Sequence, residues 1–177
     1  MHKINPNIIN SCKGCTARCC RGLAVVLTIP EALRLIHATG MRAEEILEFR
    51  KDVNSRETPH YPLLVHTHKG VEEWFIIIRR QARDCIFLNP DLACSLYSDR
   101  PFVCRLYPFE LDGKTLKKGA LCPVKFVREP NIEWDALHLK RDLLSHEVMA
   151  RKWSHERGSK GEEPDMKEFP EYFRELR

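Results

Sequence analysis

Eight cysteines in two clusters constrain this chain more than any other feature of its sequence. Cys12-Lys13-Gly14-Cys15-Thr16-Ala17-Arg18-Cys19-Cys20 places four thiols in nine residues, and Cys85, Cys94, Cys104 and Cys122 supply the other four. A chain of 177 residues buries an ordinary core without covalent staples, so the thiols need another reason to be there. The longest apolar runs, Leu23 to Leu27 and Trp74 to Ile78, are too short to span a bilayer. Met1-His2-Lys3-Ile4-Asn5-Pro6 lacks the apolar stretch of a signal peptide. The expected compartment is therefore the cytoplasm, with no membrane partner. There, clustered cysteines bind metal or do redox chemistry more often than they form disulfides.

Cys-x-x-Cys spacing turns two thiolates toward one centre. Closed zinc sites take four such ligands, and an iron–sulfur cubane takes one thiolate per iron. Soft thiolates favour these over magnesium or calcium. The adjacent Cys19 and Cys20 are awkward for one compact site, because neighbouring side chains in extended backbone point apart. Either each serves a different centre, or one is a ligand and the other a supporting or reactive thiol. A vicinal disulfide is the strained alternative. Disulfides throughout would require an oxidising compartment or a thermophilic cytosol. The formal charge of +4 treats every thiol as neutral, and thiolates on two divalent ions would cancel it. A nucleic-acid partner is therefore not expected.

The first cysteine block lacks an apolar period and predicts a loop. Leu23 to Leu27 predicts a short buried strand. Thr28-Ile29-Pro30-Glu31 predicts a capped helix start, with Ile29, Ala32, Leu33 and Ile36 on one face and Gly40 as the stop. A second short helix is expected over 43–51. Residues 52–70, with Pro59 and Pro62, read as a connection. Glu73 to Arg79 is the strongest strand, and Asp112-Gly113 signals a hairpin. Ile132 to Trp153 predicts the longest helix, with two apolar stripes. The first is Ile132, Ala136, Leu139, Leu143 and Ala150; the second is Trp134, Leu137, Leu144 and Val148. Two stripes predict packing on both sides. Beyond Arg151 the chain is mostly charged, with Phe169, Tyr172 and Phe173 marking a last docked turn.

Three segments resemble the YkgJ-like cysteine-cluster family, also called CxxCxxCC proteins. They are Cys12 to Arg21 with the strand that follows, Cys85-Ile86-Phe87-Leu88 with Cys94-Ser95-Leu96-Tyr97, and Arg100-Pro101-Phe102-Val103-Cys104-Arg105-Leu106-Tyr107-Pro108-Phe109. They match the family's C-I-F-L, C-x-I-Y and R-P-x-x-C-R-x-Y-P elements in order, over about residues 12–125. Three residues, rather than the frequent two, precede the Cys-Cys pair, so the third ligand of that block is either Cys19 or Cys20. The resemblance implies chelation of zinc or iron by the cysteines, with an iron–sulfur cluster, 4Fe–4S among the types, as one form. Some relatives resemble a flagellin lysine methylase, but this chain has no glycine-rich nucleotide loop.

In the third segment, Ser98 or Asp99 is placed to cap a helical turn with Pro101 early in it, and Cys104 follows on a rigid element. Arg100 and Arg105 are placed to donate to thiolate or sulfide sulfur, tuning a centre's charge and potential. Their alternative is pairing with surface carboxylates. His66 and His68 would share a face of an extended segment, as a metal pair or as an exposed polar edge. His146-Glu147 is no zincin start, because Ala150 stands where the second histidine is required.

The expected fold is a small single α+β domain, with short strands and a hairpin around a cysteine metal core, wrapped by helices. Residues 1–125 would form the metal-binding part and 126–177 a helical extension packed on it. The expected ligands are all eight cysteines, and the 64 residues between Cys20 and Cys85 must fold back for the clusters to share a centre. The leading expectation is a cytoplasmic iron–sulfur protein for electron transfer or cluster-dependent chemistry, served by a redox or other protein partner. A zinc-stapled, non-catalytic adaptor is the second reading, and a metal-dependent modifying enzyme the third.

Overall fold

The computed structural model describes residues 17–51, 53, 61–107, 109–112, 115–118 and 131–174. In chain order its elements are α1 (Arg18–Gly22), β1 (Val26–Leu27), α2 (Ile29–Thr39), α3 (Ala43–Ile46), β2 (Leu47–Arg50), β3 (Leu63–Thr67), β4 (Gly70–Ile78), β5 (Arg80–Gln81), β6 (Asp84–Cys85), α4 (Phe102–Leu106), β7 (Phe109–Asp112), β8 (Thr115–Lys118), α5 (Ile132–Glu156) and α6 (Phe169–Arg174). Single 3₁₀ turns cover Tyr97–Asp99 and Gly158–Lys160. The class is α+β, as expected.

β4 organises the sheet. Its last residues lie between β1 and β2, and its first half pairs with β3, all antiparallel. Phe75 to Ile78 are all buried because both faces are covered. Ile76 and Ile78 face the main core with residues of α2, α5 and α6, while Phe75 and Ile77 join Val26 in a smaller cluster against Ala24 and Val53. An apolar run without alternation is what a strand covered on both faces requires.

The start of α2 forms as predicted. Thr28 Oγ1 accepts the Glu31 amide at 3.1 Å, Glu31 Oε2 accepts the Thr28 amide at 3.1 Å, and Gly40 closes the helix at φ 65°. The hairpin of β7 and β8 also forms, with Asp112 opposite Thr115; its turn residues lie outside the described set.

Several expectations give way. The predicted loop turns helical at Arg18. The predicted strand shortens to Val26 and Leu27. The predicted 43–51 helix stops at Ile46, because Leu47 to Arg50 pair with Ile78 to Phe75 and form the edge partner that β4 lacks. Within 52–70, Leu63 and Val65 point inward and His66 is exposed, so a strand of period two forms immediately after Pro62. Pro62 precedes the ladder, where its missing N–H costs no sheet bond.

The largest correction concerns α5. Its first stripe is buried, Leu143 in part: the front half packs on Phe102 and Leu106 of α4, and Met149, Ala150 and Trp153 enter the main core. The second stripe, Trp134, Leu137, Leu144 and Val148, is exposed. The helix packs through its first stripe, and Trp134 at the edge of the second meets Phe102 edge-on at 5.7 Å between ring centres. Its buried side carries polar groups that explain its modest apolar pattern. Asp142 pairs with Arg34, Ser154 Oγ accepts the Leu64 amide at 2.8 Å, and His146 spans two neighbouring backbones. After α5 the charged segment does more than dock one turn: Met166, Phe169 and Phe173 are all buried in the main core. Among the described residues, no helix is long and apolar enough to cross a membrane.

Candidate metal centre

α1 carries Cys19 and Cys20 and is anchored at both ends. Ala17, buried and at φ 50°, turns the chain into the helix, and its carbonyl accepts the Arg21 amide at 2.9 Å. Arg21 pairs with Asp84 at 3.4 Å, and the Arg80 guanidinium donates to the Arg21 carbonyl at 2.8 Å. These bonds join α1 to the β5–β6 hairpin, where Arg80 stands opposite Cys85. Its two-residue turn begins with Ala82 at φ 56°, the sign such a turn requires there. The fold-back between the two sequence clusters is thus made by named contacts.

Cys85 and Cys94 sit in two turns of the same form. In the first, the Leu88 amide donates to the Cys85 carbonyl at 2.9 Å and the Phe87 amide to the Cys85 sulfur. In the second, the Tyr97 amide donates to the Cys94 carbonyl at 3.2 Å and the Leu96 amide to the Cys94 sulfur. A bridge between Leu88 and Cys94, with the Ser95 amide on the Phe87 carbonyl at 2.8 Å, sets the turns side by side. The C-I-F-L and C-S-L-Y segments are therefore one device used twice, aiming an amide two residues on at each sulfur.

Cys104 is held by α4. The expected cap by Ser98 or Asp99 does not form; Pro101 is the capping residue and has no side-chain acceptor. Glu31 takes that part from a distance. Its Oε1 accepts the Val103 amide at 3.2 Å while Oε2 completes the capping box of α2. One buried carboxylate thus serves two helix starts and fixes the backbone next to Cys104. Burial pushes its pKa up, against the hydrogen bonds from Thr28 and Val103.

The five described thiols, Cys19, Cys20, Cys85, Cys94 and Cys104, are free. The sulfurs of Cys19 and Cys20 stand 3.8 Å apart. Helical rather than extended backbone lets these neighbours meet. Sharing a proton with Cys20 is the main cause that pulls Cys19 down to about 6 and pushes Cys20 up. Cys85, Cys94 and Cys104 are all raised, chiefly by burial. Each also feels the others: Cys20 responds to Cys85 and Cys104, Cys94 to Cys19, and Cys104 to Cys85 and Cys94. The donor set is soft and largely protonated, and suits a cation that displaces protons on binding. Among the described residues, no three His, Cys, Asp or Glu side chains converge tightly enough to hold one ion. Cys12, Cys15 and Cys122 lie outside the described residues.

The two arginines divide their work. The charge of Arg100 lowers the pKa of Cys19, Cys94 and Cys104, while its Nε donates to the Tyr97 carbonyl at 3.0 Å and its guanidinium covers the Tyr97 ring. Arg105 donates to the carbonyls of Arg100 at 2.7 Å and Ser98 at 2.8 Å and lies 3.8 Å from Asp135. It fastens the segment that presents Arg100. His66 is exposed on β3 and His68 is in the following turn, an exposed polar edge. No sequence pattern signals the role of Glu31 at α4, because the bond spans 72 positions.

A model of the CxxCxxCC family, described as a putative zinc- or iron-chelating domain, matches residues 11–123. No curated protein and no solved structure matches the chain.

Proposed function

The chain belongs to the CxxCxxCC family, and from that premise we propose that its clustered cysteines hold an iron–sulfur centre used for electron transfer or cluster-dependent chemistry. One observation carries this reading: two turns of the same form aim backbone amides at the sulfurs of Cys85 and Cys94, with the charge of Arg80 acting on the first and that of Arg100 on the second. Amide donors to sulfur offset the negative charge of a thiolate-ligated centre and raise its potential.

Cys85, Cys94, Cys104 and one or both of Cys19 and Cys20 form the described part of the donor set, and Cys12, Cys15 and Cys122 complete the candidates. The centre would supply one-electron chemistry. The chain's own residues orient sulfur, half-bury the thiols and hold the Arg100 guanidinium beside them. Anaerobic purification followed by metal and acid-labile sulfide analysis tests the proposal. Iron and sulfide in matching amounts, with visible absorption that bleaches on reduction, are expected. A colourless protein with stoichiometric zinc would establish the zinc-stapled reading instead, and a metal-free folded protein overturns both.

A further inference from the structure

The outer face of α5 presents Trp134, Leu137, Leu144 and Val148, exposed at 52, 57, 68 and 69 %. Scattered exposed leucines are ordinary, but a row of them along one helix is not. The row runs for about 20 Å and exposes on the order of 400 Å² of apolar surface. Its spacing follows the two seam positions of a heptad repeat, with Arg141 and Arg151 in the remaining seam places. The opposite face is already committed to α4 and the main core.

We propose that this face joins two copies of the chain, with α5 lying antiparallel on α5 of the second copy across a two-fold axis. Charge and register favour this occupant. An antiparallel seam centred between Arg141 and Leu144 sets Leu137 against Val148 of the other copy, and the Arg141 stem against Leu144. The same alignment brings Lys140, beside the seam, next to Glu147 of the other copy, and does so twice by symmetry. Glu147 uses Oε1 on Arg151 within its own chain, and Lys140 makes no ion pair among the described residues. A parallel alignment would stack Arg141 on Arg141 in the seam, so the sequence selects the antiparallel one.

Sedimentation equilibrium of the full chain as purified, from about 1 to about 100 µM, tests this. The native protein is expected to show a concentration-dependent dimer. Leu144→Glu, at an exposed position, should be monomeric over the same range with unchanged circular dichroism. Lys140→Glu should weaken the dimer at least ~10-fold by setting like charges together, and adding Glu147→Lys should restore it. A native monomer at about 100 µM overturns the proposal; this is the result if residues 119–130 or a different protein cover the face. A dimer indifferent to Leu144→Glu also overturns it. A charge-swapped double variant no tighter than Lys140→Glu overturns the antiparallel register.

Discussion

Gly158 lies in the short turn after α5, directly against β3. A Cβ built there would stand 1.9 Å from the Leu64 carbonyl oxygen and 3.1 Å from Trp153. The first contact is with backbone, which cannot rotate away, so Gly158→Ala must separate the end of α5 from the sheet. We expect a loss of about 3 kcal/mol, the upper end for overpacking a tight contact, read as a lower urea midpoint. Gly22→Ala, with no heavy atom within 4 Å, should leave packing unchanged and is the control. Nothing in the sequence around Gly158 marks it, since the atom that forbids a side chain there belongs to residue 64. Glu31 shows the same limit from the other side. The Thr-x-x-Glu pattern announces its capping box, while its second bond depends on where α4 is delivered in space.

His146 joins three elements. Its Nδ1 accepts the Ile29 amide at 3.0 Å at the start of α2, and its Nε2 donates to the Tyr61 carbonyl at 2.6 Å just before β3. Burial, which disfavours the charged ring, lowers its pKa from 6.5 to about 4; a proton on Nδ1 would also face the Ile29 N–H. The folded form therefore binds this proton less readily than the unfolded chain. Stability from this site is fully present above pH 6.5 and declines as pH falls to about 4. Its total contribution is about 3 kcal/mol. Urea titrations between these limits should show that slope in the native protein and lose it in His146→Gln. Elements with a strong local signature were legible: α2 through its caps, β4 through its β-branched run, the β7–β8 hairpin through Asp-Gly. Leu47 to Arg50 were not. Their helical spacing is real, and pairing with β4 overrides it. The outward stripe of α5 was legible as apolar but not as exposed, because periodicity reports a face and not what covers it.

Across the whole molecule, the core does not end where the cysteine segments end. Phe173 is 1 % exposed and packs on Phe169 at 5.1 Å between ring centres, in the same cluster as Leu27 and Ile76. Phe173→Ala should cost about 3–5 kcal/mol and lower Tm by about 10 °C, as one cooperative transition. Loss of a separate C-terminal transition, with the remainder unaffected, would contradict this. At this scale the sequence showed the metal-binding character through cysteine count and motif order, since those chemistries tolerate few alternatives. The mutual placement of the thiols depended on α1 meeting the β5–β6 hairpin, a contact between distant segments.

The two-sided burial of β4 also bears on how the chain finds its alignment. For a strand with one wet face, slipping by one residue exposes its apolar side chains and is self-correcting. In β4 a slip would exchange Ile76 and Ile78 for Phe75 and Ile77, apolar for apolar, so hydrophobicity is nearly silent about the error. The pairing must be dictated from the closed end of the hairpin. There, Thr67 Oγ1 accepts the Lys69 amide at 3.2 Å and donates to the Gly70 carbonyl at 3.0 Å, with Gly70 at φ 126°. The turn from Thr67 to Gly70 thus holds the address that the buried half of β4 cannot specify for itself.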